Sequence, residues 1–136
     1  MLQEELETFS QGFLDAWNTQ DVEKVVGVYT DDVVYLDPNT RGEVQGADAL
    51  RRYLTKLFDA WDMKWSFREG YVAGADDDVA TVAWRATLRR AGGQDEVEVE
   101  GLDLVVVEGD RIKRNEVYFD RAALAPLLAE SPTVSA

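Results

Sequence analysis

Residues 79–107 read VATVAWRATLRRAGGQDEVEVEGLDLVVV, and the alternation within them decides the fold. Val82, Trp84, Ala86 and Leu88 fall on one side of a two-residue repeat; Thr81, Arg85, Thr87 and Arg89 fall on the other. That is the pattern of a strand with one face in a core and one in water. Ala91-Gly92-Gly93-Gln94 supplies hairpin-loop chemistry. Beyond it Val97, Val99, Gly101, Asp103, Val105 and Val107 share a face opposite Glu98 and Glu100. If the glutamates face water, Asp103 faces inward. A bulge at Gly101 would reverse that parity and turn Asp103 out.

The same period continues on either side. Upstream, Met63, Trp65 and Phe67 alternate with Lys64, Ser66 and Arg68, and Gly74-Ala75-Asp76-Asp77 forms a turn. Downstream, Glu108-Gly109-Asp110 turns the chain into a last strand over 111–119. Asn115, Val117 and Phe119 share one face there, and Arg111, Lys113 and Arg114 form a solvated one. Asp120 caps a short helix over 121–129, and 131–136 is a polar, flexible tail.

The N-terminal half has the other period. Leu2, Leu6, Phe9, Phe13, Ala16 and Trp17 step by three and four, which predicts a helix over 2–18, weak or closely packed at Gly12. Asp21 caps a second helix over 22–29 that buries Val25, Val26 and Tyr29. Val33-Val34-Tyr35-Leu36 is a short strand stopped by Asp37-Pro38-Asn39. A polar loop covers 39–45, and Gly46 opens a third helix over 47–60 built on Leu50, Tyr53, Leu54, Leu57 and Phe58. The expectation is one α+β domain over 1–130. A twisted antiparallel sheet would curl around the helices and leave an apolar hollow between them.

Composition narrows the chemistry. The chain of 136 residues has no cysteine and no histidine. Thiolate nucleophiles, histidine-ligated metals, Ser/His arrangements and the usual neutral-pH base are all excluded. No cofactor and no metal are expected. The net charge of −13 repels nucleic acid and anionic membranes, so neither is an expected partner. An acidic start, Met-Leu-Gln-Glu-Glu, and no run long enough to span a bilayer point to the cytoplasm.

Carboxylates are left to do the work. An inward Asp103 is either a structural acid satisfied by nearby donors or a functional one. Desolvation would raise its pKa, letting it stay protonated and donate a hydrogen bond. Asp37 shares parity with Val33 and Tyr35 and ends a strand, where a partly wet carboxylate could serve as a base. Asp-Pro-Asn is equally plain turn chemistry. Phe13, Trp17, Tyr35, Tyr53, Trp65, Trp84, Asn115, Val117 and Phe119 are candidate pocket walls, and most would serve a core as well.

Several stretches resemble the nuclear transport factor 2-like superfamily, within it the SnoaL-like proteins named for a polyketide cyclase. They are Phe13 to Asp37, Gly46 to Leu50, Gly101-Leu102-Asp103 and Tyr118 to Leu124. The resemblance implies a cone-shaped barrel with a pocket for a small apolar molecule, often a homodimer joined through the sheet. Ketosteroid isomerases of that superfamily keep a base aspartate where Asp37 stands and a donating aspartic acid where Asp103 stands. Their tyrosine donor falls at Phe13, which cannot donate, so Tyr53, Tyr35 or Asn115 would have to replace it. Limonene epoxide hydrolases need an arginine and an aspartate where this chain has Gly101 and Val117. Scytalone dehydratase and the cyclase rely on histidine. The implied activity is isomerisation or aldol-type cyclisation of an apolar carbonyl or polyketide-like molecule by Asp37 and Asp103. Ligand binding without turnover is the alternative.

Overall fold

The computed structural model describes residues 1–76 and 78–128. A 3-10 turn, Gln3–Glu5, leads into α1, Leu6–Asn18, and α2, Val22–Val26. Strand β1, Tyr29–Leu36, is followed by the two-residue β2, Val44–Gln45, and by α3, Ala47–Ala60. Then come β3, Trp61–Ala73, β4, Val79–Arg90, β5, Glu96–Glu108, and β6, Arg111–Tyr118. A 3-10 turn at Arg121–Leu124 and helical residues 125–128 follow, and Asp120 caps the turn by accepting from Ala122 N–H. The expected end of that helix at 129 and the expected tail, 131–136, lie outside the described residues.

The strands form one curved sheet in the order β2-β1-β6-β5-β4-β3, which does not close. All pairs are antiparallel except β1 with β6, which run parallel. The meander expected from 79–107 is there: β4 and β5 pair from Val79↔Val106 to Arg89↔Glu96 without a register shift. No bulge interrupts Gly101, and Asp103 is buried at 4% exposure. On the opposite face Arg85 reaches Glu98 and Glu100 at 3.7 and 3.5 Å.

Four expectations need correction. The first helix begins as a 3-10 turn that leaves Leu2 outside and exposed. The second helix stops at Val26, and Tyr29 opens β1, which is twice as long as the four residues expected. The valines and Tyr29 fit a helical step, but a β-branched run also suits a strand beside β6. Inside the loop expected over 39–45, Val44–Gln45 pairs with β1. Lys113 would share the inward parity of Asn115 in a regular strand. A register shift in the β5–β6 pairing next to it keeps Lys113 on the solvated face expected of it, while Ile112 and Asn115 are both buried.

β3 is a free edge, and it is covered by side chains rather than by a strand. Gln3 bonds Gly70 O and Val72 N–H, Asn18 bonds Trp65 O and N–H, and Gln20 bonds Trp61 O and Met63 N–H, at 2.6–2.9 Å. Gln11 accepts from Phe67 N–H at 3.4 Å. From Gln3 to Asn18 the helical rise covers about 22 Å, and from residue 71 to 65 the strand covers about 20 Å. The helix and the edge therefore stay in step. The amides satisfy backbone groups that would otherwise recruit another strand. They also fix α1 over the sheet, with Leu6, Phe13, Leu14 and Trp17 buried beneath it. Gly12 is the weak position in that helix, not a close contact: an added Cβ would meet nothing within 4 Å.

Candidate active site

Under α1 the concave face forms a hollow with about 580 Å³ of empty space, open solvent included, of which about 40 Å³ has room for the centre of a water-sized sphere. Phe13, Trp17, Tyr35, Trp65, Val117 and Phe119 line it, and Asp37, Asn39, Asp103 and Asn115 supply polar groups. Two expected wall residues are not in the lining. Trp84 stands behind Asp103, and Tyr53 reaches the site only through Asp37. Leu14, Leu57, Trp61, Met63, Leu88 and Leu124 complete the apolar wall. Periodicity places Leu57, Met63 and Leu88 on apolar faces; nothing in sequence separates core from cavity wall.

Asp103 sits at the end of a directed chain of donors. Trp17 Nε1–H donates to Tyr29 Oη at 3.1 Å, and Tyr29 O–H donates to Asn115 Oδ1 at 2.7 Å. Asn115 Nδ2–H then donates to Asp103 Oδ2 at 3.1 Å, while Trp84 Nε1–H donates to Asp103 Oδ1 at 2.7 Å. Trp84 pairs with Gly101 across β4 and β5, so its ring crosses the glycine to reach Asp103 two residues on. Burial raises the Asp103 pKa to about 7 against the lowering effect of those two donors, and the charge on Asp37 adds a smaller push upward. In the neutral form the carboxyl still accepts both N–H groups and has one O–H left to donate. The expectation from parity and desolvation thus meets a matching geometry. Tyr29, assigned to a helix in sequence, is the part of the relay that periodicity hid.

Asp37 is differently placed. It was expected to be partly wet, yet it is only 9% exposed. Its Oδ1 accepts from Asn39 N–H at 2.7 Å and Thr40 N–H at 3.0 Å, closing the Asp-Pro-Asn-Thr turn. Its Oδ2 accepts from Tyr35 O–H at 2.7 Å and Tyr53 O–H at 2.5 Å. Turn chemistry and a site position therefore coexist, one on each oxygen. Burial pushes the phenols of Tyr35 and Tyr53 well above the usual tyrosine range, and Asp37 pushes them further, so both remain donors. Neither phenol is free to serve a ligand while it is bound to Asp37, and one Asn115 N–H is spent on Asp103. The ring contacts Trp17–Tyr35 at 5.8 Å and Tyr29–Tyr35 at 6.4 Å bring the two acid clusters together.

Among the described residues, no group of His, Cys, Asp or Glu side chains could hold a metal ion, and no helix is long and apolar enough to cross a membrane.

A family model described as a SnoaL-like domain matches residues 10–115. No curated protein matches the chain. Solved structures share the fold. One is provisionally assigned as a SnoaL-like polyketide cyclase from Jannaschia sp.; it is 19% identical over 90% of either chain, with a TM-score of 0.72. A ketosteroid isomerase-like protein from Erwinia carotovora atroseptica is 25% identical over 87% of this chain and 98% of its own, with a TM-score of 0.67. TerC, crystallised with polyporic acid, is 16% identical over 90% of this chain and 96% of its own, with a TM-score of 0.76.

Proposed function

The chain belongs to the SnoaL-like domain family, and from that membership we propose that it is a small-molecule pocket protein working as an acid–base enzyme on an apolar carbonyl or polyketide-like substrate. The reaction is isomerisation or aldol-type cyclisation through an enolate. The observation that carries the reading is Asp103: a carboxyl on the wall of an apolar cavity, with its pKa near 7 and a proton to donate. Protonated Asp103 donates to the substrate oxygen as charge builds on it, the kind of stabilisation that contributes most in a water-poor site. Asp37 takes the proton from the neighbouring carbon. To do so it must release Tyr53, which frees a lone pair on Oδ2.

The test needs no native substrate. Small cyclic ketones in D2O exchange their α-protons when a protein enolises them, and proton NMR follows the loss. Asp103→Asn and Asp37→Asn are each expected to slow protein-catalysed exchange by about 10²–10⁴-fold. Exchange that survives both changes sinks this mechanism.

A second reading is favoured by one specific feature. Each Asp37 oxygen already accepts two hydrogen bonds, which suits a fixed wall better than a base. In that case the protein holds its ligand unchanged: ketones bind and no exchange occurs.

The proposed partner is a second copy of the chain, joined through the outer sheet face. Leu102 and Tyr118 pair there and are 42% and 50% exposed, beside Ala83 and Leu104. Leu102→Glu is expected to convert a dimer to a monomer in sedimentation velocity. A wild-type monomer at high concentration counts against the dimer.

A further inference from the structure

Among the described residues, two buried polar side-chain atoms meet no partner, Ser10 Oγ and Trp65 Nε1. A serine hydroxyl rotates and both donates and accepts, but an indole N–H only donates and points where its ring points. The Trp65 ring has little freedom. Asn18 holds its backbone from both sides, accepting from its N–H at 2.7 Å and donating to its carbonyl at 2.9 Å. The ring stands edge-on to Trp84 at 4.7 Å and to Trp17 at 6.1 Å. Both of those neighbours spend their indole N–H inside the fold, on Asp103 and on Tyr29. Trp65 alone of the three spends nothing, and it lines the cavity beside Asp103 and Asn115.

A buried donor without an acceptor is a cost that a phenylalanine of similar shape would avoid. A visiting acceptor in the cavity would satisfy it. Phe13 offers no donor, and the phenols of Tyr35 and Tyr53 are engaged by Asp37. We propose that the Trp65 Nε1–H is a ligand-binding donor, and that the ligands of this cavity are apolar molecules bearing a carbonyl or enolate oxygen that accepts from Trp65 next to Asp103. This rests on the reading that the cavity takes a small molecule, and it adds the polar group that selects among such molecules.

Two probes of nearly equal shape test it, cyclohexanone and methylenecyclohexane, which differ by an oxygen against a CH2. The full chain is labelled with 15N at its indoles, and the Trp65 resonance is the one absent in Trp65→Phe. Cyclohexanone is expected to move that N–H resonance downfield and to bind the wild type about tenfold more tightly than Trp65→Phe, the loss of one neutral hydrogen bond. Methylenecyclohexane is expected to bind both proteins equally without the downfield movement. Equal ketone affinity for both proteins overturns the role of Trp65 and leaves the small-molecule reading standing. Binding of neither probe overturns both. If Trp65→Phe does not fold, the wild type decides: no indole N–H moved downfield by the ketone alone means the inference is wrong.

Discussion

Gly101→Ala is expected to destabilise the chain by about 3 kcal/mol or more, near the top of the range for overpacking a core. The added Cβ would lie 2.5 Å from Trp84 Cη2 and 2.6 Å from the backbone oxygen of Tyr118, with Trp84 Cζ2 also in collision. Neither neighbour can retreat. Tyr118 O belongs to the backbone of β6, paired there with Leu102. Trp84 is 1% exposed, packs against Trp65 and Phe119, and is tied by its N–H to Asp103. Strand glycines of this kind mark a close approach, and here the approach aims an indole at the buried acid. Gly12→Ala is the control. Helical and with nothing within 4 Å of an added Cβ, it is expected to gain about 1 kcal/mol from the same substitution. Urea denaturation followed by tryptophan fluorescence compares the two; midpoints that move in the same direction contradict the packing described.

Asp103 gives the second large effect, and it depends on pH. Its folded-state pKa of about 7 stands above the 3.8 of an exposed aspartate, because burial disfavours the charge. Between those values the folded state binds a proton that the unfolded state has lost. The contribution to stability is therefore complete below about pH 4 and disappears as pH rises through 7. The spread corresponds to about 4 kcal/mol at most. Asp103→Asn never ionises, and the remaining carboxylates are common to both proteins. The stability of the wild type relative to Asp103→Asn should fall from pH 5 to about pH 7 and level off above it. At pH 5 the variant should be the weaker, since its amide NH2 must face either the Trp84 or the Asn115 N–H. Parallel stability curves across that range would mean that Asp103 does not hold a proton in the fold.

Much of this was legible because β-strands have a strict period. Glu98 and Glu100 fixed the faces of β5, the pairing with β4 runs unbroken, and Asp103 lies where two-residue parity puts it. Asn115 beside it follows from the same rule on β6. The helix caps at Asp21 and Asp120 rest on local chemistry, and both accept the backbone N–H expected of them. What escaped sequence reading is non-local. Tyr53 comes from another element to bind Asp37, turning an anticipated wet base into a buried acceptor of four hydrogen bonds. The glutamines and the asparagine that cover β3 are ordinary polar residues in sequence, and only the packing of α1 against an unpaired edge gives them their task. Val25, Val26 and Tyr29 fit a helical step, which hides the place of Tyr29 in a strand. The strand beside β6 claimed it instead, and with it the link between Trp17 and Asn115.

Asp103, a carboxyl facing an apolar cavity, is expected to keep its proton up to near neutral pH. Titrating the Asp103 side-chain 13Cγ resonance by NMR, assigned by its loss in Asp103→Asn, tests this directly. The midpoint is expected at about 7. A midpoint at the ordinary aspartate value of about 4 would contradict it, and with it the assignment of Asp103 as a hydrogen-bond donor to a ligand.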